Sequence, residues 1–158
     1  MRSLKLLVLV LLAAVFAIAA AVATAKPVRL ATQDAEDPLQ VRPALVSYTG
    51  DGTGYLAGRI SSPRHQDRGG LQWMSWGRKR AVAHGYNWLN HCRPSCVEGN
   101  FSRHRAIITA RRPRHGLFTR LVIKFRLQGR WRYDRRFLEK FSSYWVWGIC
   151  GTHYTKPC

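Results

Sequence analysis

The strongest structural signal in the chain is the stretch GLFTRLVIKFRL, residues 116–127, whose side chains alternate in character. Because successive side chains of a β-strand point to opposite sides, odd-numbered positions here share one face and even-numbered positions share the other. The apolar face carries Leu117, Thr119, Leu121, Ile123, Phe125 and Leu127, and the other carries Phe118, Arg120, Val122, Lys124 and Arg126. This pattern favours a strand with one side against a core.

Other segments have the same character and are separated by turn residues. TGDGTG, residues 49–54, divides ALVSY from YLAGRI, and YWVWGIC, residues 144–150, is a continuous apolar run. RRFLEKF, residues 135–141, could form one helical turn with its apolar residues inward. Short strands with frequent turns predict an all-β fold, namely a small antiparallel sandwich or barrel with at most a short helix near 135–141.

The N-terminus resembles an export signal in its composition. Arg2 and Lys5 precede an uncharged apolar run from Leu6 to Ala23, and small residues surround a cleavage point after Ala25. We therefore expect a signal peptide over 1–25 and a secreted protein with no transmembrane span after cleavage. The alternative is an uncleaved membrane anchor.

The remainder divides by composition into two parts. Residues 26–43 contain three prolines and a cluster of acids but no aromatic residue, which predicts a disordered leader or linker. Residues 44–158 are rich in aromatic and β-branched residues and predict a single β domain, which we expect to be a monomer.

All four cysteines follow the export signal: Cys92, Cys96, Cys150 and Cys158. An even number in a small exported chain is typical of disulfides, and four cysteines allow three connectivities. Cys92 and Cys96 enclose a proline-containing turn, so we favour bridges 92–96 and 150–158. A zinc site using His91 would need reduced thiols and a fourth ligand, so we expect no metal and no other cofactor.

The charge of the chain is strongly unbalanced. It has 26 Lys and Arg residues against 8 Asp and Glu residues, a formal net charge of +18. Such a charge favours anionic partners, such as nucleic acids, acidic envelope polymers or membrane surfaces. The alternative is compositional, because arginine, alanine, glycine and proline all have GC-rich codons and cations can lie on a solvated surface without a function.

The hairpin that joins the alternating strand to WRYD defines the candidate binding face. If QGR forms a three-residue loop, Phe125 faces Tyr133 and Arg132 joins the charged face. A two-residue loop would place Phe125 opposite Arg132 and bury a charge, so the three-residue loop is favoured. The predicted residues for binding an anionic polymer are Arg120, Lys124, Arg126 and Arg132.

The segments LQWMSWGRKRAVAHGY and NHCRPSCVEGNF contain a longer pattern, W-x-x-W-G…A-x-x-x-G…C-x-P-x-C-x-x-G. Its positions are Trp73, Trp76, Gly77, Ala81, Gly85, Cys92, Pro94, Cys96 and Gly99. In this pattern the chain resembles a group of small exported actinobacterial proteins of uncharacterised function. The resemblance covers roughly residues 45–125 and implies no particular activity. We interpret the tryptophan pairs 73/76 and 145/147 as core residues rather than as platforms for sugars or bases.

Three functions are compatible with these features. The first, which we favour, is a secreted non-catalytic binding module that engages an anionic cell-envelope polymer through a basic sheet face. The second is a secreted hydrolase using Asp134 and Glu139 or a histidine, although G-x-S-x-G and H-E-x-x-H motifs are absent from the sequence. The third is a basic antibacterial protein, for which no long amphipathic helix is predicted.

Overall fold

A computed structural model describes residues 26–59 and 70–149, which contain ten strands. The strands are β1 (Leu30–Ala31), β2 (Leu39–Gln40), β3 (Val46–Ser47), β4 (Gly54–Ala57), β5 (Gln72–Trp76), β6 (Arg80–Asn90), β7 (Phe101–Arg114), β8 (Leu117–Leu127), β9 (Arg130–Phe141) and β10 (Tyr144–Ile149). The expected signal peptide over 1–25 and the cysteines at 150 and 158 lie outside these ranges.

Eight of the strands form one antiparallel sheet in the order β10-β9-β8-β7-β6-β4-β3, with β5 also paired to β6. Strands β4 and β5 share one edge of β6, because β5 pairs with residues 81–84 and β4 with residues 86–89. The sheet curves into a half-barrel. The predicted all-β antiparallel fold is therefore confirmed, and the choice between sandwich and barrel resolves to a partial barrel.

The possible helical turn near 135–141 does not form, since these residues continue β9 and pair with both neighbouring strands. Residues 135–137 pair with β8 and residues 136–141 pair with β10, so strand pairing gives this segment more backbone partners than one isolated helical turn would. Across the described ranges, the structure has no helix with the length and apolar character needed to span a bilayer.

The two faces of the sheet differ in composition. The inner face carries the buried core: Ala81, Ala83, Ala106, Ile108, Ala110, Leu121, Ile123, Phe125, Leu138 and Trp147. The alternation predicted for β8 is confirmed at Leu121, Ile123 and Phe125. The outer face, which is the opposite side, carries Lys124 and Arg126. Small residues on β6 and β7 leave space beside them for the larger side chains of the other elements.

The prediction of a disordered leader over residues 26–43 is wrong for the first part of that segment, because Val28, Leu30, Ala31 and Thr32 are buried. Leu30 and Ala31 are fully buried. The Arg29 amide donates to Gly116 O at 2.9 Å, and the Phe118 amide donates to Arg29 O at 3.0 Å. The segment therefore adds a short parallel contact to the start of β8 and covers the inner face of the half-barrel.

Three tryptophans fix this N-terminal segment through their indole N–H groups. Trp76 donates to Val28 O at 2.9 Å, Trp147 to Ala31 O at 3.0 Å and Trp73 to Pro43 O at 2.9 Å. A buried indole needs a hydrogen-bond acceptor, and the irregular backbone of the segment has carbonyl groups to offer. Trp147 belongs to the buried core, and Trp73 and Trp76 are partly buried and pack against it, in agreement with the prediction.

Phe118 departs from simple alternation. Its parity places it on the face of Arg120, yet it is fully buried. Its ring packs edge to face against Trp76, with the ring centroids 5.5 Å apart. The N-terminal segment hydrogen-bonds to this end of β8 and encloses a side chain that a free strand end would expose.

Candidate anion-binding face

The β8–β9 hairpin has a two-residue loop, so the predicted three-residue loop is wrong. Leu127 pairs with Arg130, and Phe125 pairs with Arg132. Gln128 and Gly129 both have positive φ, 49° and 75°. Positive φ at both positions defines a type I′ turn, whose twist matches that of the flanking strands. The expected cost of burying the Arg132 charge does not arise, because this end of the inner face is open and Arg132 is exposed.

Arg132 is therefore on the opposite face from Arg120, Lys124 and Arg126, and the predicted group of four cations is not assembled. The same shift brings Trp131 and Tyr133 to the outer face beside those cations. The sequence prediction missed both aromatic residues. The signal that could have found them is the Gln-Gly pair, because glycine at the second position suits a two-residue hairpin loop.

Lys124 lies between two aromatic rings. Its Nζ atom is 4.5 Å from the centroid of the Trp131 ring and 5.7 Å from that of Tyr133. Both rings are substantially exposed, Trp131 at 45% and Tyr133 at 51%. The ring faces attract the ammonium group electrostatically and restrict its position without neutralising its charge.

Two arginines extend this arrangement along the outer face. The Arg126 guanidinium lies 5.2 Å from the Trp131 ring, and the Arg135 guanidinium lies 5.5 Å from the Tyr133 ring. We call this set, Lys124, Arg126, Trp131, Tyr133 and Arg135, the cation–aromatic strip. Within residues 26–59 and 70–149, none of its cations forms a salt bridge.

The strip adjoins a pocket of about 500 Å³ that reaches across the outer face to β6 and β7. Its lining includes Trp131, Tyr86, Arg105 and Ile107. Arg105 adds a further cation beside the exposed indole. The strip is thus continuous with a concave surface that has both apolar and positive character.

The carboxylates considered for hydrolysis lie on opposite sides of the sheet. Asp134 pairs with Ile123 on the inner face, whereas Glu139 pairs with Val146 on the outer face. Asp134 accepts two hydrogen bonds from Arg136, at 2.8 and 2.7 Å. The two carboxylates therefore cannot act on one substrate from the two sides of a single bond.

The Asp134–Arg136 pair belongs to a polar cluster under the inner face. The Arg136 guanidinium lies 4.9 Å from the ring of Tyr48, whose hydroxyl donates to Asn87 Oδ1 at 2.8 Å. Burial, and secondarily the charge of Asp134, raises the pKa of Tyr48 to about 12. These groups hold one another in place, which is a structural role.

Two histidines considered for catalysis, His84 and His104, lie on opposite faces of the sheet. His84 is exposed on the outer face, while His104 is half-buried on the inner face and lies 2.9 Å from the Ser102 hydroxyl. In the part of the chain that the structure describes, no three His, Cys, Asp or Glu residues gather around one point.

The connection between β6 and β7 contains the predicted Cys92–Cys96 disulfide, with the two sulfur atoms 1.98 Å apart. Sulfur atoms bonded to each other are not available as thiolate ligands, so the zinc alternative with His91 is wrong. The Asn90 side chain supports the loop on both sides, because its Nδ2 donates to Cys96 O and its Oδ1 accepts from the Cys92 backbone amide. The pairing of Cys150 with Cys158 stays a prediction.

Replacing both Cys92 and Cys96 by serine should lower the free energy of unfolding by about 2 kcal/mol, as expected for a bridge that closes a short loop. Urea unfolding followed by tryptophan fluorescence measures this difference. Peptide mapping of the unreduced wild type should show a linked 92–96 peptide. A peptide that links Cys92 or Cys96 to either of the other cysteines would contradict the bridge.

No protein-family model, curated protein or solved structure matches this chain. The resemblance to exported proteins stays a prediction, but the structure explains several residues of the shared pattern. Trp73 and Trp76 anchor the N-terminal segment. A side chain at Gly85 would bring its Cβ within 2.7 Å of the Ala57 carbonyl oxygen, so this position has space only for glycine. These residues maintain the fold.

Proposed function

We propose that this protein is a secreted, non-catalytic binding module that holds an anionic polymer along the cation–aromatic strip. The observation that supports it best is the position of Lys124, whose charge is held between two exposed rings and has no carboxylate partner among the described residues. The large positive charge of the chain would attract such a polymer from a distance.

The geometry of the strip suits an extended chain with a charged backbone. Lys124 and Arg126 are two residues apart on one strand, so their side chains emerge about 7 Å apart, close to the spacing of successive phosphates along an extended single strand of nucleic acid. Exposed rings next to the cations offer flat surfaces for stacking, as in proteins that bind single-stranded nucleic acids. A polyphosphate backbone is therefore the ligand chemistry that we propose.

The arrangement of rings and cations explains why aromatic residues rather than acids accompany the cations. A carboxylate beside Lys124 would hold the ammonium group equally well but would compete with an anionic ligand for it. An aromatic ring reduces the rotational freedom of the long side chain and leaves its charge available. The strip is thus ordered before a ligand arrives.

The test compares two double variants that remove equal charge from opposite faces of one hairpin. Lys124→Ala/Arg126→Ala removes two of the three cations of the strip and leaves Arg135, and Arg130→Ala/Arg132→Ala removes two exposed arginines whose parity places them on the inner side. Binding of fluorescently labelled inorganic polyphosphate and of a labelled single-stranded oligonucleotide is measured over a range of salt concentrations.

We expect the strip variant to lose at least about tenfold in affinity, and its salt dependence to fall by about 1.4–1.8 log units per log of salt for two lost contacts. The arginine pair on the other face should lose much less. Equal losses in the two variants would show that the charge acts only in bulk. Leakage from anionic vesicles with no saturable polymer binding would instead support the antibacterial alternative.

A further inference from the structure

A second group of cations lies on the outer face, away from the cation–aromatic strip. Arg80 on β6 is directly opposite Arg111 on β7, and Arg111 is directly opposite Arg120 on β8. Directly opposite residues on neighbouring strands point to the same side, and the strands are about 4.8 Å apart. The three arginines, which we call the arginine row, therefore form a straight line across the sheet.

Such a line is unfavourable unless something compensates it, because like charges directly opposite one another repel. The Arg120 guanidinium lies 5.9 Å from the ring of Phe137 and donates one hydrogen bond to Thr119 O at 3.0 Å. Its Nε atom is buried and has no hydrogen-bond partner in the described part of the structure. The contacts within the protein therefore compensate the charge of Arg120 only in part.

The charged groups that shift the pKa of Arg120 are all cations. Burial, followed by the charges of Arg112, Arg114 and Arg111, lowers the pKa of Arg120. No carboxylate contributes to this shift. The positive potential is therefore concentrated at the end of β6, β7 and β8 that is remote from Trp131.

We propose that the arginine row is a second binding position, which takes one phosphate dianion, either free or as the terminal group of a phosphomonoester. Three guanidinium groups offer planar pairs of N–H donors, which match the oxygen atoms of a phosphate better than ammonium groups do. The side chains of arginines on adjacent strands are long enough to converge on one group of that size. The ligand would neutralise the repulsion within the row. This proposal does not depend on polymer binding at the strip.

The experiment titrates inorganic phosphate into the full-length exported protein by calorimetry, at pH 8, with sodium chloride adjusted to hold the ionic strength constant. The variants are Arg111→Gln, which removes the central charge of the row, and Arg132→Gln, which removes one exposed charge from the other face. Thermal unfolding of all three proteins is followed with and without phosphate.

Wild type should bind one phosphate saturably and gain thermal stability from it. Arg111→Gln should weaken binding at least about tenfold, as expected for the loss of a charged hydrogen-bonding partner, and Arg132→Gln should change it less than about twofold. Without phosphate, Arg111→Gln should be at least as stable as wild type, because a repulsion is removed. Equal phosphate binding by Arg111→Gln and wild type, or stabilisation that sodium chloride alone reproduces, would overturn the proposal.

End-phosphorylated and unphosphorylated oligonucleotides separate the two sources of the dianion. If a terminal phosphate is the ligand, end phosphorylation should strengthen binding to wild type but not to Arg111→Gln. If only free phosphate binds, the two oligonucleotides should bind alike while the calorimetric result stands. Because Lys124→Ala/Arg126→Ala retains the arginine row, it should still bind inorganic phosphate even where it has lost the polymer.

Discussion

Replacing Leu30 by aspartate is expected to lower the free energy of unfolding by about 4 kcal/mol or more and to leave little folded protein. Leu30 is fully buried in the core cluster that joins the N-terminal segment to the sheet. Truncating a buried leucine alone costs about 3–5 kcal/mol. A carboxylate adds the cost of an unpaired charge away from water, against a total stability of about 5–15 kcal/mol for a typical domain.

The matched control is Val41→Asp, which introduces the same charge into the same N-terminal region at a position that is 43% exposed. We expect it to change stability by no more than about 0.5 kcal/mol. Urea unfolding monitored by tryptophan fluorescence is suitable, since Trp76 and Trp147 both contact the segment. Similar small effects of the two substitutions would mean that residues 26–43 are a linker after all.

Replacing Phe118 by alanine should lower the free energy of unfolding by about 3–5 kcal/mol, because it leaves a cavity between the start of β8 and Trp76. The loss should also be visible as a change in the fluorescence of the native state, since the Trp76 ring loses its edge-to-face partner. Thermal or urea unfolding gives the free energy.

Phe141→Ala is the control for Phe118→Ala, because it removes an identical side chain from β9 at a position that is 62% exposed. Phe141 contacts the ring of Tyr144 at a centroid distance of 5.5 Å, so its loss should cost about 0.5–1.5 kcal/mol. A loss of stability for Phe118→Ala no larger than that for Phe141→Ala would mean that Phe118 is exposed on the face of Arg120, as simple alternation implies.

The candidate site could be predicted from the sequence only in part. Alternation alone places Lys124 and Arg126 together and opposite to Leu121, Ile123 and Phe125, and the structure agrees. The partners on β9 depend on loop length, since a shift of one residue exchanges the two faces of a strand. The expectation that a charged side chain avoids the core favoured a three-residue loop over the two-residue loop that forms. That expectation holds only if the whole inner face is covered. The structure leaves Arg132 exposed there.

The sequence by itself determined the all-β class, the two faces of β8 and the short Cys92–Cys96 loop, because each of these depends on residues that are near one another in the chain. Only the tertiary structure decided that the segment 28–32 packs against the core and that Phe118 is buried. Local composition does not mark that segment as buried, because it is short, contains Arg29 and is followed by clustered acids. It is ordered because Trp76, Trp147 and the start of β8 supply distant partners for its backbone, and these contacts form only once the sheet has formed.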